Sequence, residues 1–197
     1  EIEVEKKGVV NVKIDKKRKV PITVLLRAFG FESDADILGA FQGEDEWIAR
    51  HIAPTIEKDK TKTRMEALYA IYKLLRPGDL GTDERVEQLF QTTFFDPKKF
   101  DLGDVARIKI NRKLSENFAD HKAVSEVPEA EQMLLGIDFI AGLRYLFSLE
   151  EGREGFRIDD IDHLENRRVR SVGELVYDKV KVGLARMEKI AKDRMTI

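Results

Sequence analysis

The apolar residues of this chain change rhythm at Pro21, and that change constrains the fold more than any other feature. Ile2 and Val4, then Val10, Val12 and Ile14, alternate about Lys6-Lys7-Gly8, the two-residue period of a β-hairpin. Pro21 then sits where a first helical position tolerates a missing N–H, and Gly30 where a C-cap falls, so residues 21–29 are expected to form a short helix. Leu38, Phe41, Trp47, Ile48, Ile52 and Ile56 suggest two more short helices interrupted by Gly43. Met65, Leu68, Ile71, Tyr72 and Leu75 keep helical spacing until Arg76-Pro77-Gly78 stops it. Thr82 should cap a helix carrying Val86, Leu89 and Phe90. Asp104 to Leu114 should be helical, with Val105, Ile108 and Leu114 turned inward. Pro128 is expected to open a long helical segment, Glu129 to Leu149, whose buried stripe is Met133, Ile137, Ile140, Leu143 and Phe147. Glu150 to Arg157 is a charged, Gly-punctuated loop. Ser171-Val172-Gly173-Glu174 is a capping box opening a final helix with Leu175, Val176, Val180, Leu184 and Met187 on its apolar face. The class is α+β: a mostly helical domain with an N-terminal β-hairpin and a C-terminal capped helix.

Composition bounds the function. A chain of 197 residues, 42% apolar, can bury one substantial core. Charged residues make up 37% of it but leave a net charge of −2, so any nucleic-acid signal must be local. With no Cys, a disulfide framework and thiolate-bound zinc are excluded. No apolar run approaches the roughly 18 residues of a membrane span, and no signal peptide is visible. A soluble, cytoplasmic protein without membrane contact is expected.

The chemistry concentrates in the stretch from Asp159 to Glu174, where carboxylates and His163 give way to Arg167, Arg168 and Arg170 before the helix opens. Acids first and arginines second is not how a solvated helix face is written. Three readings stand. Asp160, Asp162 and His163 could ligate a hard cation, since Asp-x-Asp sets two carboxylates on one side of an extended loop, although the arginines would repel it. The acids and arginines could simply pair. Or the loop could meet something anionic and hydrogen-bonding. Elsewhere the bland readings dominate. The basic run Lys13, Lys16, Lys17, Arg18 and Lys19 suits a solvated edge strand. Trp47 belongs in the core, Phe94 and Phe95 in packing, and His51 and His121 at the surface or in caps. The Lys and Arg residues of the last helix form its wet face.

The wording of the Asp159 to Glu174 run resembles a segment of the β subunit of bacterial DNA-directed RNA polymerase. The helix Arg64 to Asp79 ending in Leu75-Arg76-Pro77-Gly78-Asp79 is similar to another, as are Phe94-Phe95 through Asp101-Leu102, the basic strand Val12 to Lys19 and Gly183-Leu184-Ala185-Arg186-Met187-Glu188-Lys189. These pieces occur in the family's order; residues 31–60 and 111–157 match only in pattern. The resemblance implies the β-subunit lobe over residues 1–170, and over 171–197 a helix leading toward the protrusion and rifampicin region. Lacking an initial Met, the chain reads as an excised piece of a longer subunit.

In that family the lobe lines a pocket for single-stranded non-template DNA just downstream of the active centre. Asp162 matches the position accepting hydrogen bonds from a guanine, whose N1–H and N2–H are adjacent donors suited to a carboxylate. Asp15, Arg76, Ile161 and Arg167 match other pocket positions, with Asp160 beside them in the loop. Lys99 stands where Arg is common, and keeps the charge without the planar fork. Two departures stand out: Glu165 replaces a usual Gly, and Leu80-Gly81 replaces a usual Pro-Pro, which should loosen the turn after Arg76. The resemblance also implies β′, α and sigma partners, and two magnesium ions held by the other large subunit. No catalytic residue, metal ligand or cofactor is expected here. The alternative is a docking module whose basic strand and Arg-rich loop bind a transcription factor rather than DNA.

Overall fold

Three antiparallel strands open the chain in the order β1-β2-β3: β1 is Ile2–Val4, β2 Val10–Asp15 and β3 Arg18–Pro21. Ile2 pairs with Val12 and Val4 with Val10, while Val12 also faces Val20 across the second ladder, so the alternating apolar residues share a face. The computed structural model describes residues 1–15, 18–97, 102–116, 127–128, 131–164, 166–167 and 169–195. Its chain divides into two compact units, Glu1–Phe156 and Arg157–Ile197.

In the first unit Pro21 closes β3 and precedes α1, Ile22–Ala28, all seven residues of which are buried. A helix apolar on nearly every side belongs in the middle of a core. Its one charge, Arg27, is fully buried and reaches out of the core: Nε donates to Asp59 at 3.2 Å, Nη1 to the Glu32 carbonyl at 2.7 Å, and Nη2 to Asp34. Phe29, just past the helix, gathers the rings of Phe90, Phe94, Phe95 and Phe139 at centroid distances of 5.3, 5.4, 5.5 and 4.9 Å. The Phe94-Phe95 pair is therefore packing.

Next come α2, Asp34–Gly39, capped by Ser33 with Asp36, and α3, Asp45–Trp47. A π-helical turn, Ile48–Ile52, joins α3 to α4, Ala53–Lys58. Pro54 explains the widening: it has no N–H for the Arg50 carbonyl and its ring crowds that oxygen. The β1–β2 turn seats against this spot. A Cβ on Gly8, at φ +84°, would lie 2.1 Å from the Arg50 oxygen, so only glycine fits.

The same turn corrects the sequence reading of His51. Far from the surface, it is 1% exposed and lies flat on Phe147, with ring centroids 4.3 Å apart and planes 8° from parallel. Its Nδ1 is 3.2 Å from the Gly8 carbonyl oxygen and its Nε2 3.6 Å from Glu150. Trp47 is core as expected, with its indole N–H donated to Glu151. His121 lies outside the described residues.

Helix α5, Arg64–Leu75, has the Thr63–Glu66 capping box, and α6, Asp83–Phe94, follows Thr82. Helix α7, Gly103–Glu116, does not turn Val105 inward; that residue is 69% exposed. The buried residue is Arg107, which donates to the carbonyls of Glu131 (2.7 Å) and Met133 and to Asp138 (2.8 Å). One turn on, Asn111 donates to the Val127 carbonyl at 2.9 Å. The inward face of α7 is thus polar because its neighbour is irregular backbone with oxygens to satisfy.

That irregular backbone is a second correction. Residues 131–135 are not helical, and α8 runs Gly136–Glu151. Asp138 caps it by accepting from the Leu135 N–H at 2.8 Å. Of the expected stripe, Ile140, Leu143 and Phe147 are buried, while Met133 and Ile137 are half-buried.

The second unit is the segment from Arg157 followed by α9, Val172–Met195. The Ser171 hydroxyl accepts from the Glu174 N–H at 3.3 Å, one half of the expected box. No described residue of α9 is buried: Leu175, Val176, Val180, Leu184 and Met187 are 47, 55, 53, 54 and 61% exposed.

Candidate nucleic-acid interface

The acid-then-arginine stretch folds into a turn organised by Asp160. Its carboxylate accepts the Asp162 N–H at 3.0 Å, and its carbonyl accepts the Asn166 side-chain amide at 2.8 Å and the His163 N–H at 3.3 Å. The His163 carbonyl in turn accepts the N–H groups of Asn166 and Arg167 at 2.9 and 3.2 Å. Asp160 is therefore a scaffold residue; such Asx turns are local and need no partner. What the scaffold presents is Asp162 and Arg167, paired at 3.3 Å with side chains 89% and 64% exposed. Ile161 stands beside them, 81% exposed. An ion pair this open contributes at most about 1 kcal/mol, so a ligand can compete for either member. Arg170 is held differently, by Asp178 and Glu174 of α9. Glu165 and Arg168 lie outside the described residues.

In the first unit Arg76 is the residue after the last turn of α5, its N–H donated to the Tyr72 carbonyl at 2.8 Å. The turn that follows is tied, not loose as Leu80-Gly81 suggested. Gly78 takes φ +90°, the Tyr72 hydroxyl donates to Asp79 at 2.6 Å, and the Tyr69 hydroxyl donates to Asp83. The bond to Asp79 raises the Tyr72 phenol above its ordinary 10.0. Gly81 closes the turn against Tyr72 and Val86, where a Cβ would meet their side chains at 2.9 and 2.7 Å. Leu80, the other replacement, is 93% exposed and takes no part.

Arg76 shares a surface groove of about 380 Å³ with Arg85, Gln88 and Thr92 of α6. The sequence reading missed these three; their spacing of three and four residues along a helix is the signal that could have found them. Asp15 ends β2 opposite Arg18, and the placement of its side chain lies outside the described residues, as do Lys16, Lys17 and Lys99. Lys13 and Lys19 of the basic strand are not free cations. Lys13 binds Glu3 and lies 3.5 Å from Glu1, and Lys19 is 3.1 Å from Glu3. These lysines, Lys13 first, hold the Glu3 carboxyl below its ordinary 4.5.

Among the described residues no group of three His, Asp or Glu converges to hold a metal ion, and no helix is long and apolar enough to cross a membrane. The site offers an exposed carboxylate beside a guanidinium on a stiff turn, and separately a groove with two guanidiniums.

The chain has known relatives. Residues 1–170 match the family described as RNA polymerase Rpb2, domain 2, and the chain belongs to that family. It is 44% identical over 197 residues to the DNA-directed RNA polymerase subunit beta of Syntrophomonas wolfei, covering 100% of this chain and 16% of that protein. The subunit of the same name from Leifsonia xyli is 41% identical over 209 residues, covering 100% of this chain and 17% of its own length. That from Synechococcus elongatus is 43% identical over 195 residues, covering 99% and 16%. The chain thus spans about a sixth of the length of the curated relatives it matches.

Proposed function

We propose that this chain is the lobe wall of the DNA channel in a DNA-dependent RNA polymerase, where it positions the downstream single-stranded non-template strand. The observation that carries the reading is the Asp162–Arg167 pair, held on the Asp160 turn yet open to solvent. Asp162 accepts the N1–H and N2–H of a guanine, and a carboxylate has two acceptors and no donor to offer. Bases in an unstacked strand are read on such edges. Arg167 is the counter-charge of Asp162 without a ligand and a phosphate or base contact with one. Arg76, with Arg85 in the same groove, holds backbone phosphate; Asp15, Ile161 and Lys99 are further DNA contacts implied by the resemblance, and Asp160 shapes the turn that carries Asp162. Residues 1–170 form the lobe and 171–197 the helix leading out of it.

The chain performs no chemistry in this reading. Nucleotidyl transfer belongs to the assembled cytoplasmic enzyme, with β′, α and sigma as partners and its magnesium ions on the other large subunit. The exposed apolar residues of α9 favour a protein neighbour for that helix, which also suits docking of a transcription factor. The two readings separate in one experiment. Assembled polymerase carrying this chain is compared on templates with guanine or thymine in the downstream non-template strand. A guanine preference that disappears in Asp162→Ala supports the DNA reading; loss of factor binding with the preference intact supports docking.

A further inference from the structure

We propose that the cavity between the end of α2 and helix α8 is a binding site for a small organic anion with an apolar body, its carboxylate held by Arg144. The cavity has a volume of about 550 Å³ and is walled by Phe31, Gly39, Ile137, Ile140, Ala141 and Arg144. That volume suits a small molecule, and a largely apolar wall with a few polar groups is how such sites are built; here the charged members of the wall are Arg144 and Glu44.

Arg144 is the part of this wall that packing alone does not explain. It is 5% exposed, yet its guanidinium makes one hydrogen bond, from Nη2 to the Ala40 carbonyl at 2.6 Å. Its Nε is buried with no partner, and no carboxylate among the described residues forms an ion pair with it. Glu44, which also lines the cavity, binds both of its oxygens to Arg153 at 3.0 and 2.9 Å. Buried charges are normally paired, because desolvation is costly. Burial draws the Arg144 guanidinium below its ordinary value, with the charge of Glu44 opposing it. Arg27 and Arg107, the other buried arginines among the described residues, each have a carboxylate. A carboxylate ligand would supply what Arg144 lacks. A phosphate dianion fits less well, since it needs several donors and carries twice the charge toward Glu44.

The test uses 4-phenylbutyrate as probe, its uncharged amide as control, and calorimetry on the full 197-residue chain. Saturable binding of the carboxylate, at least about tenfold tighter than the amide, is expected. Gly39→Leu should abolish it with an unchanged thermal melt, because Gly39 lines the cavity and a Cβ there meets nothing within 4 Å. Arg144→Gln should equalise acid and amide. If that variant does not fold, the amide control and Gly39→Leu decide alone. No saturable binding, equal affinity for acid and amide, or unchanged binding in Gly39→Leu overturns the proposal.

Discussion

Arg107 of α7 and Asp138 of α8 meet at 2.8 Å with side chains 0% and 3% exposed, and through them two helices and the segment between them share one polar joint. The same guanidinium serves two carbonyls of that segment, and the same carboxylate caps α8. Removing one partner strands a buried charge. Arg107→Met should destabilise the fold by about 3–5 kcal/mol, and the double change Arg107→Met with Asp138→Leu should cost less than the sum of the singles. Denaturant melts of the four proteins check this. Strict additivity would mean that the two groups act independently.

Stability should fall on the acid side, starting with the carboxyls held low. Arg27 first, and Lys62 after it, hold Asp34 below its ordinary 3.8; Ser33 does the same for Asp36, and Lys13 with Lys19 for Glu3. A carboxyl with a lowered folded-state pKa adds stability that is present above its unfolded value and lost as pH drops through the folded one. The loss therefore belongs below about pH 4. Asp34→Asn should flatten that limb of a thermal-melt profile and leave the slope between pH 6 and pH 8 unchanged. A steepened acid limb in the variant contradicts the assignment.

Gly8→Ala should be among the most damaging single-methyl additions. The turn has φ +84° and the new Cβ would sit 2.1 Å from the backbone oxygen of Arg50, so β-turn and π turn must separate. A loss of at least about 1–3 kcal/mol is expected. Weakened amide protection around His51 by hydrogen exchange would locate it. A stable variant with intact protection there would show that the approach is not constrained.

Much of the fold was legible because apolar spacing and caps are local. The hairpin, α1, the Ser171 start of the last helix, and the stop at Arg76-Pro77-Gly78 are all written within a few residues. His51 failed because its burial depends on Phe147 and Gly8, distant in sequence. Val105 and the start of α8 failed together: a polar inward face on α7 exists only to serve the irregular backbone that the spacing of Met133 and Ile137 disguised as helix. At the candidate site, Asp162 and Arg167 were legible through resemblance. The neutralising Glu3 and the partners of Arg76 on α6 were not, since strand register and helix packing place them.

Arg76→Ala should weaken single-stranded DNA binding of the assembled enzyme to a similar degree for every sequence. Each lost phosphate contact lowers the log–log salt slope by roughly 0.7. Arg85→Ala, in the same groove, should act in the same direction. Slopes unchanged in both variants would make these arginines bystanders.

The central claim is base reading by Asp162, and Asp162→Ala in assembled polymerase tests it most directly. Loss of a carboxylate near a polyanion should raise general DNA affinity slightly, since the residue is exposed. A bidentate base contact carries about 1–3 kcal/mol of discrimination, which outweighs that gain for guanine alone. With guanine or thymine in the downstream non-template strand, the affinity ratio should favour guanine in the parent and fall to about one in the variant. A guanine preference that survives in Asp162→Ala contradicts the account.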